Sequence, residues 1–100
     1  MSSGFRLTRD AQNDLTAIRR YTVDTWGLKQ SRSYLQGMRE TIELLAEFPG
    51  QGIARLDAGE GVCSVPYGSH MLYYRLEKEQ LVVFAVLHQR MVPAEHLQGR

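Results

Sequence analysis

One hundred residues, 43% hydrophobic and 23% charged, have the composition of one ordinary globular domain, residues 1–100, too small to hold a deep substrate cavity beside its core. A formal net charge of +1 is low for a protein that lives on nucleic acid, where phosphate neutralisation supplies most of the affinity, so no direct sequence-specific DNA binding is expected. The single cysteine, Cys63, excludes an internal disulfide and points to a reducing compartment, no apolar run approaches the roughly 18 residues of a membrane span, and Met1–Gly4 lacks signal-peptide character; a cytoplasmic protein without a membrane partner is expected.

Phe5 and Leu7 alternate with Arg6 as a short strand. Thr8 is placed as an N-cap, with Asp10 in the first turn where the helix dipole favours an acid, so a helix begins near Arg9. Ala11, Leu15, Ile18, Thr22 and Trp26 recur at spacings of three and four and form its buried face, which leaves Asp14, Arg19 and Arg20 outside. Gly27 ends it, and a second helix follows from about Leu28 to Phe48 on the stripe Tyr34, Leu35, Met38, Ile42 and Leu45, giving an antiparallel helical hairpin. This second helix carries Lys29, Arg32 and Arg39 early and Glu40, Glu43 and Glu47 late, against its macrodipole, at a cost of about 0.3 to 1 kcal/mol per end charge. Residues 1–39 hold seven Lys or Arg against three Asp, and residues 40–100 hold five against eight acids, so the basic half is the N-terminal one.

Pro49, Gly50 and Gly52 terminate the second helix. Ile53–Leu56 and Val62–Val65 read as short strands around the turn Asp57–Glu60. The strongest pattern comes next: Met71–Leu76 and Leu81–Leu87, separated by Glu77–Gln80, form a β-hairpin apolar on both faces, as in a strand covered on two sides. Leu72, Tyr74 and Leu76 point one way and Met71 and Tyr73 the other, while Val83 and Ala85 oppose Val82, Phe84 and Val86. That pattern stops at His88-Gln89-Arg90-Met91, where an imidazole and a guanidinium close a central strand, and Val92–Leu97 can add a helical turn.

His70, His88 and His96 have no ligand spacing and no acidic or thiol companion at a recognisable interval, so no metal and no cofactor are expected. Cys63 and Ser64 lie in a short apolar strand without a nucleophile elbow, and Cys63 reads as a small core residue. Arg75, alternating with Met71 and Tyr73, needs a carboxylate, a carbonyl or an external anion, a structural ion pair being favoured, while Arg90, just past the strand end, reads as exposed and available to another molecule. Tyr67, Tyr73 and Tyr74 read as core or interface residues.

The segments FRLTRDAQNDLTAIRRYTVDTWG, LAEFPGQG, GSHMLYYR and VLHQRMVPAEHL occur in that order over almost the whole chain. Together they resemble the ParE toxins of bacterial type II toxin-antitoxin systems, within the RelE/ParE superfamily. The resemblance implies an α+β fold: an N-terminal strand and an antiparallel two-helix hairpin packed on a curved, mainly antiparallel sheet. It implies a toxin that inhibits DNA gyrase by binding, without bond-making chemistry of its own, and that is silenced by a ParD-like antitoxin. Under it, His88, Arg90, Met91 and His96 are the expected target contacts, and Glu40, Glu43 and Glu47 offer a face to basic antitoxin residues. The chain departs from the usual pattern at Ala85, where an arginine commonly precedes the Val-Leu-His segment, and at Val92, where an aspartate often follows Arg-Met.

Two other readings follow from the same resemblance. A RelE-type ribosome-dependent mRNA endonuclease shares the fold and needs basic groups and a proton carrier around the scissile phosphate. His70, Arg90 and His96 would fill those places, although Gly61 and Cys63 stand where lysines are expected. The other is a binding module that has lost its toxic target.

Overall fold

The computed structural model describes residues 4–100; Met1 to Ser3, read above as lacking signal-peptide character, lie outside the described residues. In chain order the elements are β1 (Phe5–Leu7), α1 (Arg9–Trp26), α2 (Leu28–Glu47), β2 (Ile53–Ala54), β3 (Cys63–Tyr67), β4 (His70–Glu77), β5 (Gln80–His88) and α3 (Pro93–His96), with 3-10 turns at Pro49–Gln51 and Leu56–Ala58. The strands make one sheet in the order β1-β5-β4-β3-β2. β1 pairs with β5 in parallel, through Phe5–Leu7 and Leu81–Val83, and every other pairing is antiparallel. This is the expected α+β architecture.

Thr8 caps α1 as expected: its hydroxyl accepts from the Ala11 N–H at 3.1 Å. Gly27, at φ 94°, is the whole connection between the helices, and its N–H donates to Val23 O. So tight a link brings the helices together at Thr22 and Ser31, whose buried hydroxyls share a hydrogen bond of 2.7 Å. Pro49 stops α2 one residue earlier than expected, at Glu47. Tyr74, from the middle of β4, pins that exit by donating to Pro49 O at 2.6 Å and accepting from Gly52 N at 3.0 Å. Its hydroxyl occupies the space a side chain on Gly52 would need.

Both faces of the hairpin are covered. Under the helices lie Leu72, Tyr74, Leu81, Val83 and Val86 with Ala11, Ile18, Met38, Ile42 and Leu45. On the other face Tyr73, Phe84, Ala85 and Leu87 pack with Val62, and Met71, Ala58 and Leu97 close over them. Full burial of each such aliphatic or aromatic side chain is worth about 1.5–3 kcal/mol. Half-buried Cys63 packs against the main core, Tyr73 and Tyr74 are buried, and Tyr67 is partly so. Ala85 is fully buried and offers no atom to a partner.

The structure corrects several expectations. Tyr74 pairs with Val83 and Tyr73 with Ala85, so Phe84 is the extra residue of a β-bulge. The bulge reverses the alternation beyond it, sending Val86 to the helical face with Val83 and Ala85 to the other. The hairpin loop is two residues, Lys78-Glu79, because Glu77 and Gln80 still pair. β2 spans only Ile53–Ala54, and Leu56 belongs to a 3-10 turn and is exposed. β3 runs from Cys63 to Tyr67, past Pro66, which is tolerated because β2 pairs only with Cys63 and Ser64. Trp26 and Leu76 are exposed, at the end of the helical hairpin and beside the hairpin loop. Asp14 is turned inward, against β5. Arg75 has its ionic partner: Nε lies 2.6 Å from Glu77, which also receives Arg6 at 2.8 Å, and the guanidinium stacks 4.8 Å over the Phe84 ring.

Candidate functional site

The end of the β4–β5 hairpin is built by register. His70, the first residue of β4, stands opposite His88, the last of β5, and their rings meet edge to face at 5.5 Å. Buried His70 places Nδ1 2.7 Å from the Tyr34 hydroxyl of α2. That hydroxyl accepts from Ser69 N at 3.1 Å and can give its single proton to His70 Nδ1 or to Tyr67 O at 3.2 Å. Burial, followed by the neighbouring His88, holds the His70 pKa below its ordinary value of 6.5. His88 Nδ1 accepts from Arg90 N at 3.1 Å, which leaves the ring proton of the neutral imidazole on Nε2. Met91 N donates to His88 O at 2.9 Å, so the chain turns sharply as soon as the strand ends.

This turn and α3 enclose a cleft of about 140 Å³ against α1. Of the four expected target contacts, His88, Met91 and His96 line it, together with His70, Asp14 and Arg100. Arg90 stands outside the cleft, exposed beside Met91. The expected nuclease trio is divided in the same way: His70 and His96 share the cleft and Arg90 does not. The guanidinium that does line it belongs to Arg100, whose Nη1 lies 2.6 Å from Asp14. Among the described residues no group of three or more His, Cys, Asp or Glu is arranged to hold a metal ion.

Three members of this region are not among the site residues expected from the sequence. Gln89 ties the β3–β4 turn to the end of β5, its side-chain amide donating to Gly68 O at 2.9 Å and its backbone N–H to Ser69 O at 2.9 Å. Asp14 and Arg100 meet across most of the chain length, a pairing no local pattern announces.

A second concave surface lies between the helical hairpin and the free side of β1. This groove, about 710 Å³, has a floor of Phe5, Leu7, Leu15, Leu35, Met38 and Ile42 and a rim that includes Arg19, Arg32 and Arg39. The acidic residues singled out above are exposed on α2. Glu43 is within 3.2 Å of Arg39, Glu40 accepts from Gln36 at 3.2 Å, and half-exposed Leu44 lies on the same length of helix, with Phe48 just past its end.

The family model for the ParE toxin of the type II toxin-antitoxin system parDE matches residues 5–93. This chain belongs to the ParE toxin family. Among relatives, Toxin ParE1 of Caulobacter vibrioides is 36% identical over 93 residues, covering 93% of this chain and 96% of that protein. Toxin ParE1 of Mycobacterium tuberculosis H37Rv is 38% identical over 92 residues, covering 91% and 94%. Toxin ParE of Escherichia coli is 33% identical over 101 residues, covering 89% and 87%. A chain of the chromosomal ParDE toxin-antitoxin system from P. aeruginosa superposes with a TM-score of 0.72 at 22% identity, over 87% of this chain and 98% of that one, which shows a shared fold. No helix of the described residues is long and apolar enough to cross a membrane.

Proposed function

We propose that this ParE-family chain arrests growth by binding DNA gyrase, acts without bond-making chemistry of its own in the cytoplasm, and is silenced by a ParD-like antitoxin. The observation that carries the reading is the family match over residues 5–93, joined by relatives of nearly the same length named as ParE toxins. The target contact is the hairpin end: exposed Arg90 and Met91 project beside the cleft that holds His88 and His96. A ribosome-dependent nuclease needs an uncommitted cation next to its proton carrier. In the cleft of His70 and His96 that cation, Arg100, is already held by Asp14, and this favours binding over cleavage.

The antitoxin seat in this proposal is the apolar groove. Its arginine rim suits an amphipathic helix with acidic flanks, while basic residues of the same antitoxin reach Glu40, Glu43 and Glu47 on the exposed side of α2.

The test is a gyrase supercoiling and DNA-cleavage assay with the purified chain, run beside a ribosome-bound mRNA cleavage assay. Inhibited gyrase with intact mRNA, relieved by Arg90→Ala, is the expected result. Cleaved mRNA with normal gyrase would overturn the reading in favour of a nuclease, and inactivity in both would mean a binding module without this target.

A further inference from the structure

Arg6, Arg39, Arg55, Arg75 and Arg100 each hold a carboxylate. Near the joined ends of α1 and α2 the situation is the opposite: Arg19, Arg20, Lys29 and Arg32 are exposed and make no ion pair among the described residues. Helix stability does not account for Lys29, which sits in the first turn of α2 where the macrodipole disfavours cations. Beside them is an open depression of about 470 Å³ lined by Trp26, Lys29, Gln30 and Ser33. Ser33 also lines the neighbouring groove, which brings Arg19 and Arg32 into the same continuous surface. The Trp26 indole is held by an edge contact with Tyr34, centroids 5.3 Å apart at 71°, and is still 39% exposed.

Among the described residues no Val, Leu, Ile or Met lines this depression, so an apolar partner helix has little to bury in it. A flat aromatic face surrounded by cations and hydrogen-bonding side chains instead matches a ligand that is flat at one end and anionic at the other. Unpaired nucleotides have that chemistry: a base stacks on an aromatic ring without regard to sequence, and the phosphates follow the cations. We propose that the Trp26–Lys29–Arg32 end of the helical hairpin binds single-stranded nucleic acid non-specifically, with one base on Trp26 and the backbone along Lys29, Arg32 and Arg19. The gyrase proposal is not a premise of this one, and the test below requires no gyrase. A helix seated in the groove would cover Arg19 and Arg32, so antitoxin and nucleic acid would compete.

Trp26 is the one tryptophan of the chain, and its emission therefore reports this surface alone. Titrating the purified chain with an oligothymidylate of about ten nucleotides is expected to quench it, with affinity falling roughly 20-fold between about 50 and 200 mM salt, as three phosphate contacts require. Followed by anisotropy of a labelled oligonucleotide, Lys29→Ala/Arg32→Ala is expected to weaken binding more than about ten-fold and to flatten the salt dependence. Trp26→Ala is expected to weaken it about ten-fold with the salt dependence retained. All three side chains are exposed, and circular dichroism checks that the variants fold. Failure to bind at low salt, or binding that the double variant retains, overturns the proposal. So does equal quenching by polyglutamate, which would make the surface an acidic-peptide seat, or quenching by phosphatidylserine vesicles but not by oligonucleotide.

Discussion

Asp14 and Arg100 meet at 2.6 Å across the free edge of β5 and together take the place of a sheet neighbour. β1 pairs with β5 only as far as Val83, and past that point Asp14 accepts the Val86 N–H at 2.9 Å while Arg100 donates to Phe84 O at 3.3 Å. One carboxylate and one guanidinium thus satisfy two backbone groups that would otherwise invite another strand. Asp14→Ala leaves both the Val86 N–H and the mostly buried Arg100 without their partner and is expected to cost about 2–3 kcal/mol. Arg100→Ala leaves Asp14 on Val86 and should cost about 1 kcal/mol. Urea denaturation of the two variants reads the difference, and equal costs would mean that the backbone bonds contribute little.

The β4–β5 loop holds two non-glycine residues in the left-handed region, Lys78 at φ 51° and Glu79 at φ 68°. This is the geometry of a two-residue turn that Asn-Gly adopts with least strain. Lys78→Asn/Glu79→Gly is expected to raise stability by about 1 kcal/mol, the relief of left-handed strain exceeding the entropy glycine loses on folding. The urea midpoint should rise with unchanged slope.

His70 makes stability depend on pH in a definite direction. Its folded pKa lies below the ordinary 6.5, so the unfolded chain takes up the proton first. The stability is therefore complete above about pH 6.5 and is lost as pH falls through the folded value. The carboxyls of Asp57 and Glu77 are also held below their ordinary values, each chiefly by its hydrogen bond to an arginine, Arg55 and Arg75. They add their own losses only at more acidic pH. Thermal melts from pH 7.5 to about 5 should show a decline that His70→Gln, which keeps an acceptor for Tyr34, largely removes.

Arg19 of α1 and Arg32 of α2 line the groove rim, whereas Glu40, Glu43 and Glu47 follow later along α2, and reversing each set separates their parts in antitoxin binding. Arg19→Glu/Arg32→Glu at the groove rim is expected to weaken a ParD-like antitoxin at least ten-fold, chiefly through faster dissociation. Glu40→Lys/Glu43→Lys/Glu47→Lys should weaken it less and raise the salt sensitivity of what remains. Calorimetry or surface binding at two ionic strengths measures both. An unchanged affinity in the rim variant would remove the groove as the seat, and an unchanged affinity in the acidic-face variant would remove that face.

The order of elements, the helical hairpin, the two-sided burial of β4 and β5 and the family were all legible in the amino-acid sequence. Each of these is written in local periodicity: apolar residues at three and four in α1 and α2, alternation in the strands, Thr8 and Gly27 at the helix ends. The sequence also pointed to the end of β5, where that apolar alternation gives out at His88. Tertiary structure alone decided what depends on long-range register. Phe84 became the bulged residue because Tyr73 and Tyr74 straddle it, and that extra residue moved Val86 and Ala85 to faces opposite those the alternation gives them. Asp14, polar on a nominally outer face, went inward because β1 is too short to cover the edge of β5, and Arg100 supplied the charge that makes its burial tolerable. Arg90 stands outside the cleft of His88 and His96, on the turn that ends the strand, where its backbone N–H bonds His88 Nδ1. Local pattern records how each segment meets the core, whereas the partner of a buried charge is set by which segments meet in space.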